Sequence, residues 1–234
     1  MRKTGGHDLM VRVRSIVAGD SAKVREIVTA SPGLVRTPAI IGASRQSASD
    51  YFFPEIRHYL YGGDTALHIA AAAFKFELAQ FLIDHDASCA AKNRRGAEPL
   101  HYASDSNTWS PDAQVATIKC LIRAGANPNA TDKSGVAPIH RAVRTRCAAA
   151  VQALLSGGAK VDLRNKSGST PLHLAVQNTG RGGSGSPEAI EQQRQIILVL
   201  LESGASIKEK DNSGKTVDQA ATAGWIRQML RVRH

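Results

Sequence analysis

The sequence predicts an all-α chain, a solenoid of stacked helix–turn–helix units with short finger-like hairpin turns between them. Three observations predict it. Four segments share one pattern: GDTALHIA at 63–70, GAEPLHYA at 96–103, GVAPIHRA at 135–142 and GSTPLHLA at 168–175. Their leading glycines recur at a near-constant period: Gly63 to Gly96 is 33 residues, Gly96 to Gly135 is 39, Gly135 to Gly168 is 33, and Gly168 to Gly214 is 46. Each unit also closes alike, on FLIDHDASCAAKNRRG, CLIRAGANPNATDKSG, LLSGGAKVDLRNKSG and LLESGASIKEKDNSG. Self-similarity at such a period calls for stacked helical units and not one closed globule. Composition agrees, because apolar residues make up 42% of the chain and aromatics only 5%, so Ala and Leu fill the core at the close spacing of helix on helix.

Taken in chain order, each unit is two helices and a turn. Thr170-Pro171 is a capping residue followed by Pro at the first helical position, where its missing N–H costs nothing. Leu172, Leu174 and Ala175 continue as a short apolar helix. A second helix, such as VQALL at 151–155 or FLI at 81–83, ends at Gly158 or its counterparts Gly125 and Gly204. Polar residues rich in Asn, Asp, Ser and Gly follow and read as a turn or finger. No unit buries its apolar face alone, so stacking is required. The two long intervals come from insertions between the helices of a unit, DSNTWSPDAQ at 105–114 and NTGRGGSGSPEAIEQQ at 178–193. Trp109 in the first is expected to fold back onto its own helices. The second is read as a mobile loop over Gly180–Gly185, then a lengthened helix capped at Ser186-Pro187. GRGGSGS offers free backbone N–H groups to an anion, but it lacks the GKS/T ending and preceding strand of a phosphate loop.

The pattern G-x-T-P-L-H-x-A, with a later L-L-x-x-G-A and a 33-residue period, resembles the ankyrin repeat over residues 63–224. On that resemblance, residues 1–36 hold a degenerate N-terminal helix pair and 37–62 a loop and aromatic capping segment. Four repeats occupy 63–213, starting at 63, 96, 135 and 168, and 214–234 form a closing half-repeat. The fit departs at Glu98 and Ala137, which replace Thr, at Ala66, which replaces Pro, and at Asp86, which stands where Gly is usual. These changes weaken single caps. The resemblance also implies that His68, His101, His140 and His173 are structural, bonding to backbone and to neighbouring units. A metal site would need three or four converging ligands. Equivalent positions in stacked units lie about 10 Å apart, too far to share one ion.

Function is expected in the positions the units do not share. The net charge of +10 tilts the search toward acidic partners, nucleic acid or anionic surfaces. Resemblance to ankyrin repeats places the contact surface on the finger tips and inner helices. At the tips stand Tyr59 and Tyr61, then Lys92, Arg94, Arg95, Lys133, Arg164, Lys166 and Lys210; seven of the fifteen tip positions are basic and none is acidic. Lys beside Asp and Gly is also ordinary turn chemistry, as in DKSG at 132–135. Residues 135–167 hold six basic residues against Asp162 alone, with Arg144 at an inner-helix contact position. The segment DYFFPEIRHYLY at 50–61 holds five of the chain's eleven Phe, Tyr and Trp residues and reads as a cap over the first full unit or as a patch for a partner.

No nucleophile–base pairing, paired carboxylates or metal-ligand cluster is legible, so the expectation is a non-enzymatic, cofactor-free module that binds a protein partner with an acidic surface. Nucleic acid or another polyanion on the same edge, or a purely structural assembly scaffold, are the alternatives. Cys89, Cys120 and Cys147 show no CxxC spacing and read as packing residues of a reducing compartment. The N-terminus lacks the apolar run of a signal peptide, and no stretch is long enough to span a membrane. A soluble, cytoplasmic, monomeric protein is expected, and the Ala-, Gly- and Arg-rich repeats suggest a bacterial source.

Overall fold

A computed structural model describes residues 4–105, 108–177 and 185–232. Ser106, Asn107 and most of GRGGSGS lie outside the described residues. The chain divides into two compact units, Met1–Asn127 and Pro128–His234.

The first unit opens with α1 (Thr4–Ala18) and α2 (Ser21–Ala30), the latter capped by Asp20, whose carboxylate accepts the Lys23 N–H at 2.9 Å. After a 3₁₀ turn at Pro32–Val35 come two short antiparallel strands, β1 (Phe52–Phe53) and β2 (His58–Tyr59), with Phe52 opposite Tyr59. This hairpin was not legible in the aromatic segment. Two helix pairs follow, α3 (Ala66–Ala72) with α4 (Phe76–Asp84) and α5 (Pro99–Ala103) with α6 (Pro111–Arg123). The second unit holds α7 (Pro138–Arg144) with α8 (Ala148–Ser156), α9 (Pro171–Ala175) with α10 (Pro187–Glu202), and α11 (Val217–Ala220) with α12 (Gly224–Val232).

The core of the first unit is built on α3, whose residues 66–72 are all buried. Its alanines let α1, α4 and α5 approach closely, while Leu67 and Ile69 fill the space between. Arg12 on α1 is fully buried and donates from Nη1 to the Leu34 carbonyl. The insertions lengthen the second helix of their pairs. α6 and α10 run 13 and 16 residues, against 9 for both α4 and α8. Each carries a buried Gln that reaches back to the inner helix: Gln114 Nε2 donates to the Ala103 carbonyl at 2.9 Å, and Gln193 Nε2 to the Ala175 carbonyl at 2.7 Å. Helix ends leave carbonyls without intrahelical donors, and these amides satisfy them. Ser186 caps α10 through the Ala189 N–H, as its Ser-Pro start predicts.

Trp109 does not fold back: it is 63% exposed. The three cysteines are free and buried, and burial pushes the Cys89 thiol up to about 11. Among the described residues no helix is long and apolar enough to cross a membrane.

Asp86 closes α4 with φ +70°, where the equivalent Gly125, Gly158 and Gly204 adopt +90°, +91° and +92°. A Cβ in that region costs about 1 kcal/mol or more, less for Asp than for most residues. Asp86 also pairs with Arg36 at 2.7 Å, but both side chains are exposed and such a pair contributes little. Asp86→Gly is therefore expected to stabilise the chain by about 0.5 kcal/mol. A urea midpoint at or below that of the wild type would show that the ion pair outweighs the backbone strain.

Candidate functional site

The repeated His side chains are part of the frame. Nδ1 of His68 accepts the Thr65 N–H at 3.1 Å, and Nε2 reaches the Ala97 carbonyl, 29 residues on, at 3.1 Å. His173 repeats this with the Thr170 N–H at 3.2 Å and the Lys215 carbonyl at 3.3 Å. His140 accepts the Ala137 N–H at 3.1 Å and reaches the carbonyls of Leu163 and Ser169 at 3.1 and 3.3 Å. His101 accepts the Glu98 N–H at 3.1 Å. A ring that accepts at Nδ1 and donates from Nε2 is neutral. Burial accordingly holds the His140 pKa below its ordinary value, against the carbonyls that pull it up. Ala137 has no side-chain acceptor for the first-turn N–H groups, yet its unit keeps the bond from its own N–H to the His140 ring, and the His140 N–H donates to the Ala137 carbonyl at 3.0 Å. Among the described residues no group of three or more His, Cys, Asp or Glu is placed to hold a metal ion.

The fingers are fixed by a second repeated residue. Asn93, Asp132, Asn165 and Asp211 each stand three before a unit glycine, and each side-chain oxygen accepts the N–H groups two and four residues on. The distances are 2.9 and 3.1 Å for Asn93, 2.8 and 3.1 Å for Asp132, 2.9 and 3.1 Å for Asn165, and 2.8 and 3.1 Å for Asp211. Such Asx turns make a rigid hairpin from a short polar segment. Burial pushes the Asp132 carboxyl up, but the N–H groups of Ser134 and Val136 and the Arg141 guanidinium win, and its pKa lies below the ordinary value. Fingers then join edge to edge within each compact unit. The Arg94 N–H donates to the Gly62 carbonyl at 2.8 Å, the Lys166 N–H to Ser134 at 3.1 Å and the Asn212 N–H to Ser167 at 3.0 Å.

This frame holds every basic tip residue exposed, and it sorts them into two kinds. In the first unit Tyr61 lies under both arginines, with the guanidinium of Arg94 at 5.5 Å and that of Arg95 at 4.9 Å from the ring. Arg94 also donates to the Ala43 carbonyl, and Lys92 stands 3.8 Å from the buried carboxylate of Glu98. Tyr59 stacks on Phe52 at 4.8 Å and lies 6.2 Å from Tyr61. In the second unit Arg164 joins two fingers, bonding to the Glu209 carboxylate and the carbonyls of Gly168 and Lys210. Lys133, Arg144, Lys166 and Lys210 are exposed and make no ion pair among the described residues.

A buried polar cluster in the first unit was missed from the sequence. Asp64 is fully buried and accepts the Tyr61 N–H at 2.7 Å, Asn93 Nδ2 at 2.9 Å, and the Tyr102 hydroxyl at 2.8 and 2.9 Å from its two oxygens. Burial pushes its carboxyl up to about 6, against those three donors and the charge of nearby His58. His58 packs on Tyr102 with ring centroids 4.4 Å apart. One signal was available. The position after the unit glycine holds Asp only here, with Ala97, Val136, Ser169 and Lys215 at its counterparts.

Paired helices, a His ladder and edge-joined fingers define a helical repeat protein whose shared residues make the frame. The chain belongs to the ankyrin repeat family: the family model for ankyrin repeats in three copies matches residues 110–211, and that for ankyrin repeats in many copies matches residues 67–108. Ankyrin repeats generally serve as protein–protein interaction modules.

Proposed function

We propose that the chain is a non-enzymatic binding module that receives an acidic protein partner on its basic finger tips and on Arg144. The observation that carries the reading is the tip row itself, with seven cationic side chains and no acidic one, all held exposed on rigid hairpins. Charge of one sign on the rigid fingers of each unit steers and orients a complementary surface, and fixed hairpins spare the backbone part of the ordering cost. Lys133, Arg144, Lys166 and Lys210 carry most of the steering, because Arg164 is committed to Glu209 and to the neighbouring finger. The free buried thiols suit a cytoplasmic setting.

The test is affinity capture from the native lysate, with wild type beside Lys133→Glu/Arg144→Glu/Lys166→Glu/Lys210→Glu and a parallel nuclease arm. These positions are exposed, so thermal unfolding of the two baits is expected to match closely. The expected result is one acidic protein captured by wild type, resistant to nuclease, and bound at least about tenfold more weakly by the variant. Equal capture by both baits would reduce the row to turn chemistry. Loss of all capture on nuclease treatment would assign the edge to nucleic acid, whose binding also falls steeply with salt.

A further inference from the structure

We infer that residues 39–51 and the first finger form a docking cleft for a linear peptide segment that sets a large apolar side chain next to an Asp or Glu. The inference rests on the reading of the chain as a module for acidic partners and adds a second, smaller site, where the segment before the first repeat meets that repeat's finger. The segment before the first unit is pinned to it. The Ala39 N–H donates to the Asp64 carbonyl, the Gly63 N–H to the Ala39 carbonyl and the Ala43 N–H to the Leu60 carbonyl, each at 2.7 Å. Between the pins, Gly42 lies flat on the backbone of 60–62: a Cβ there would stand 2.6 Å from the Gly62 nitrogen and 2.7 Å from the Leu60 oxygen.

Ala39 and Ala43 are buried, yet between them Ile40 is 84% exposed and Ile41 62%. Two adjacent isoleucines on a mobile loop would carry no message. On a backbone fixed at both ends and by a glycine contact, they are a permanent apolar projection, of the kind that marks interaction sites. They border a cleft of about 610 Å³, with Ser47 and Tyr51 also in its lining and Lys92 and Arg94 contributed by the finger. No acidic residue lines it. Both cations are oriented in advance, Arg94 through the Ala43 carbonyl and its stack on Tyr61, Lys92 by the Glu98 carboxylate. The cleft thus pairs apolar side chains with cations, and the matching occupant carries an apolar side chain beside a carboxylate. Preorganised walls suit a short segment that has its own ordering cost to meet.

A random-peptide display library panned on the full chain tests this, with recovered peptides measured against wild type, Ile40→Ser/Ile41→Ser and Arg144→Glu/Lys166→Glu. The expected peptides place a large apolar residue beside Asp or Glu. Their affinity is expected to fall at least about tenfold on Ile40→Ser/Ile41→Ser, and by a similar factor when the peptide's acid becomes its amide. It is expected to change less than about twofold on Arg144→Glu/Lys166→Glu, which removes charge elsewhere. Both isoleucines are exposed, so the serine variant is expected to unfold with the wild type, and its binding loss then reads the cleft. Unchanged affinity on the serine variant, recovered peptides without an acid, or an empty selection would each overturn the cleft. Loss on Arg144→Glu/Lys166→Glu alone would overturn it while leaving the basic-tip reading in place, and that reading stands or falls by the native capture.

Discussion

Tyr102→Ala is expected to destabilise the first compact unit by about 4–5 kcal/mol, measured as the shift of its urea-unfolding transition, because two costs add. The ring is one of the largest fully buried side chains, packed against His58 and His68 at 4.4 and 5.1 Å. The hydroxyl is one of three donors on a buried carboxylate, and its loss leaves Asp64 under-satisfied where water does not reach. Tyr102→Phe separates the terms: it keeps the ring and removes the donor, at an expected cost of about 1.5–3 kcal/mol near neutral pH. That cost has a pH signature. Asp64 titrates at about 6 in the folded chain against an ordinary 3.8, so the folded state holds the proton more tightly. The carboxyl's contribution is therefore complete below about 3.8 and falls as pH rises through 6. The hydroxyl pulls the pKa down, so removing it moves the titration higher still and steepens the fall. The penalty of Tyr102→Phe is expected to be small in acid and to grow toward neutrality. His140, whose pKa is depressed, contributes the opposite slope, with stability lost as pH falls below its ordinary value of 6.5. That slope is common to both proteins and cancels in their difference. A penalty constant with pH would mean that the hydroxyl does not act through the carboxylate.

The frame was legible in the sequence and the cluster was not, for a physical reason. The helix pairs and the glycine turns are encoded within one unit, the His ladder joins each unit to the next, and all are written several times. The bond from His68 to Ala97 spans 29 residues, and a repeat can encode such a bond because the same offset recurs at His140 and Ser169. The Asp64 cluster occurs once. It joins Asp64, Asn93 and Tyr102 with His58 from the hairpin, and no periodicity announces a contact made in a single place. The β1–β2 hairpin also occurs once, and two-residue strands carry too few alternations to be read. Trp109 shows the limit of a general tendency, since its ring stays 63% exposed. The basic tips were legible as a list but not as a site. Nothing in the sequence distinguishes Arg164, spent on Glu209, from Lys166 two residues away, which is open.

Gly63→Ala is expected to cost about 3–4 kcal/mol, the sum of a backbone strain and a backbone collision. Gly63 has φ +90°, a conformation a Cβ disfavours by about 1 kcal/mol. The Cβ itself would stand 2.7 Å from the Asn93 Cα and 3.0 Å from the Arg94 nitrogen, and backbone cannot turn aside as a side-chain end does. The finger would have to shift as a body, stretching the 2.8 Å bond from the Arg94 N–H to the Gly62 carbonyl and moving Asn93 off Asp64. Gly158→Ala is the control. Its φ is +91°, nearly the same, but nothing lies within 4 Å of the added Cβ, so only the strain of about 1 kcal/mol is expected. Each variant is read against wild type in the transition of its own compact unit. A twofold or greater excess for Gly63 would establish that the unit glycines serve close approach between fingers as well as turn geometry. Equal costs would show that the finger yields freely, and the rigid presentation on which the basic tips and the cleft depend would fall with that result.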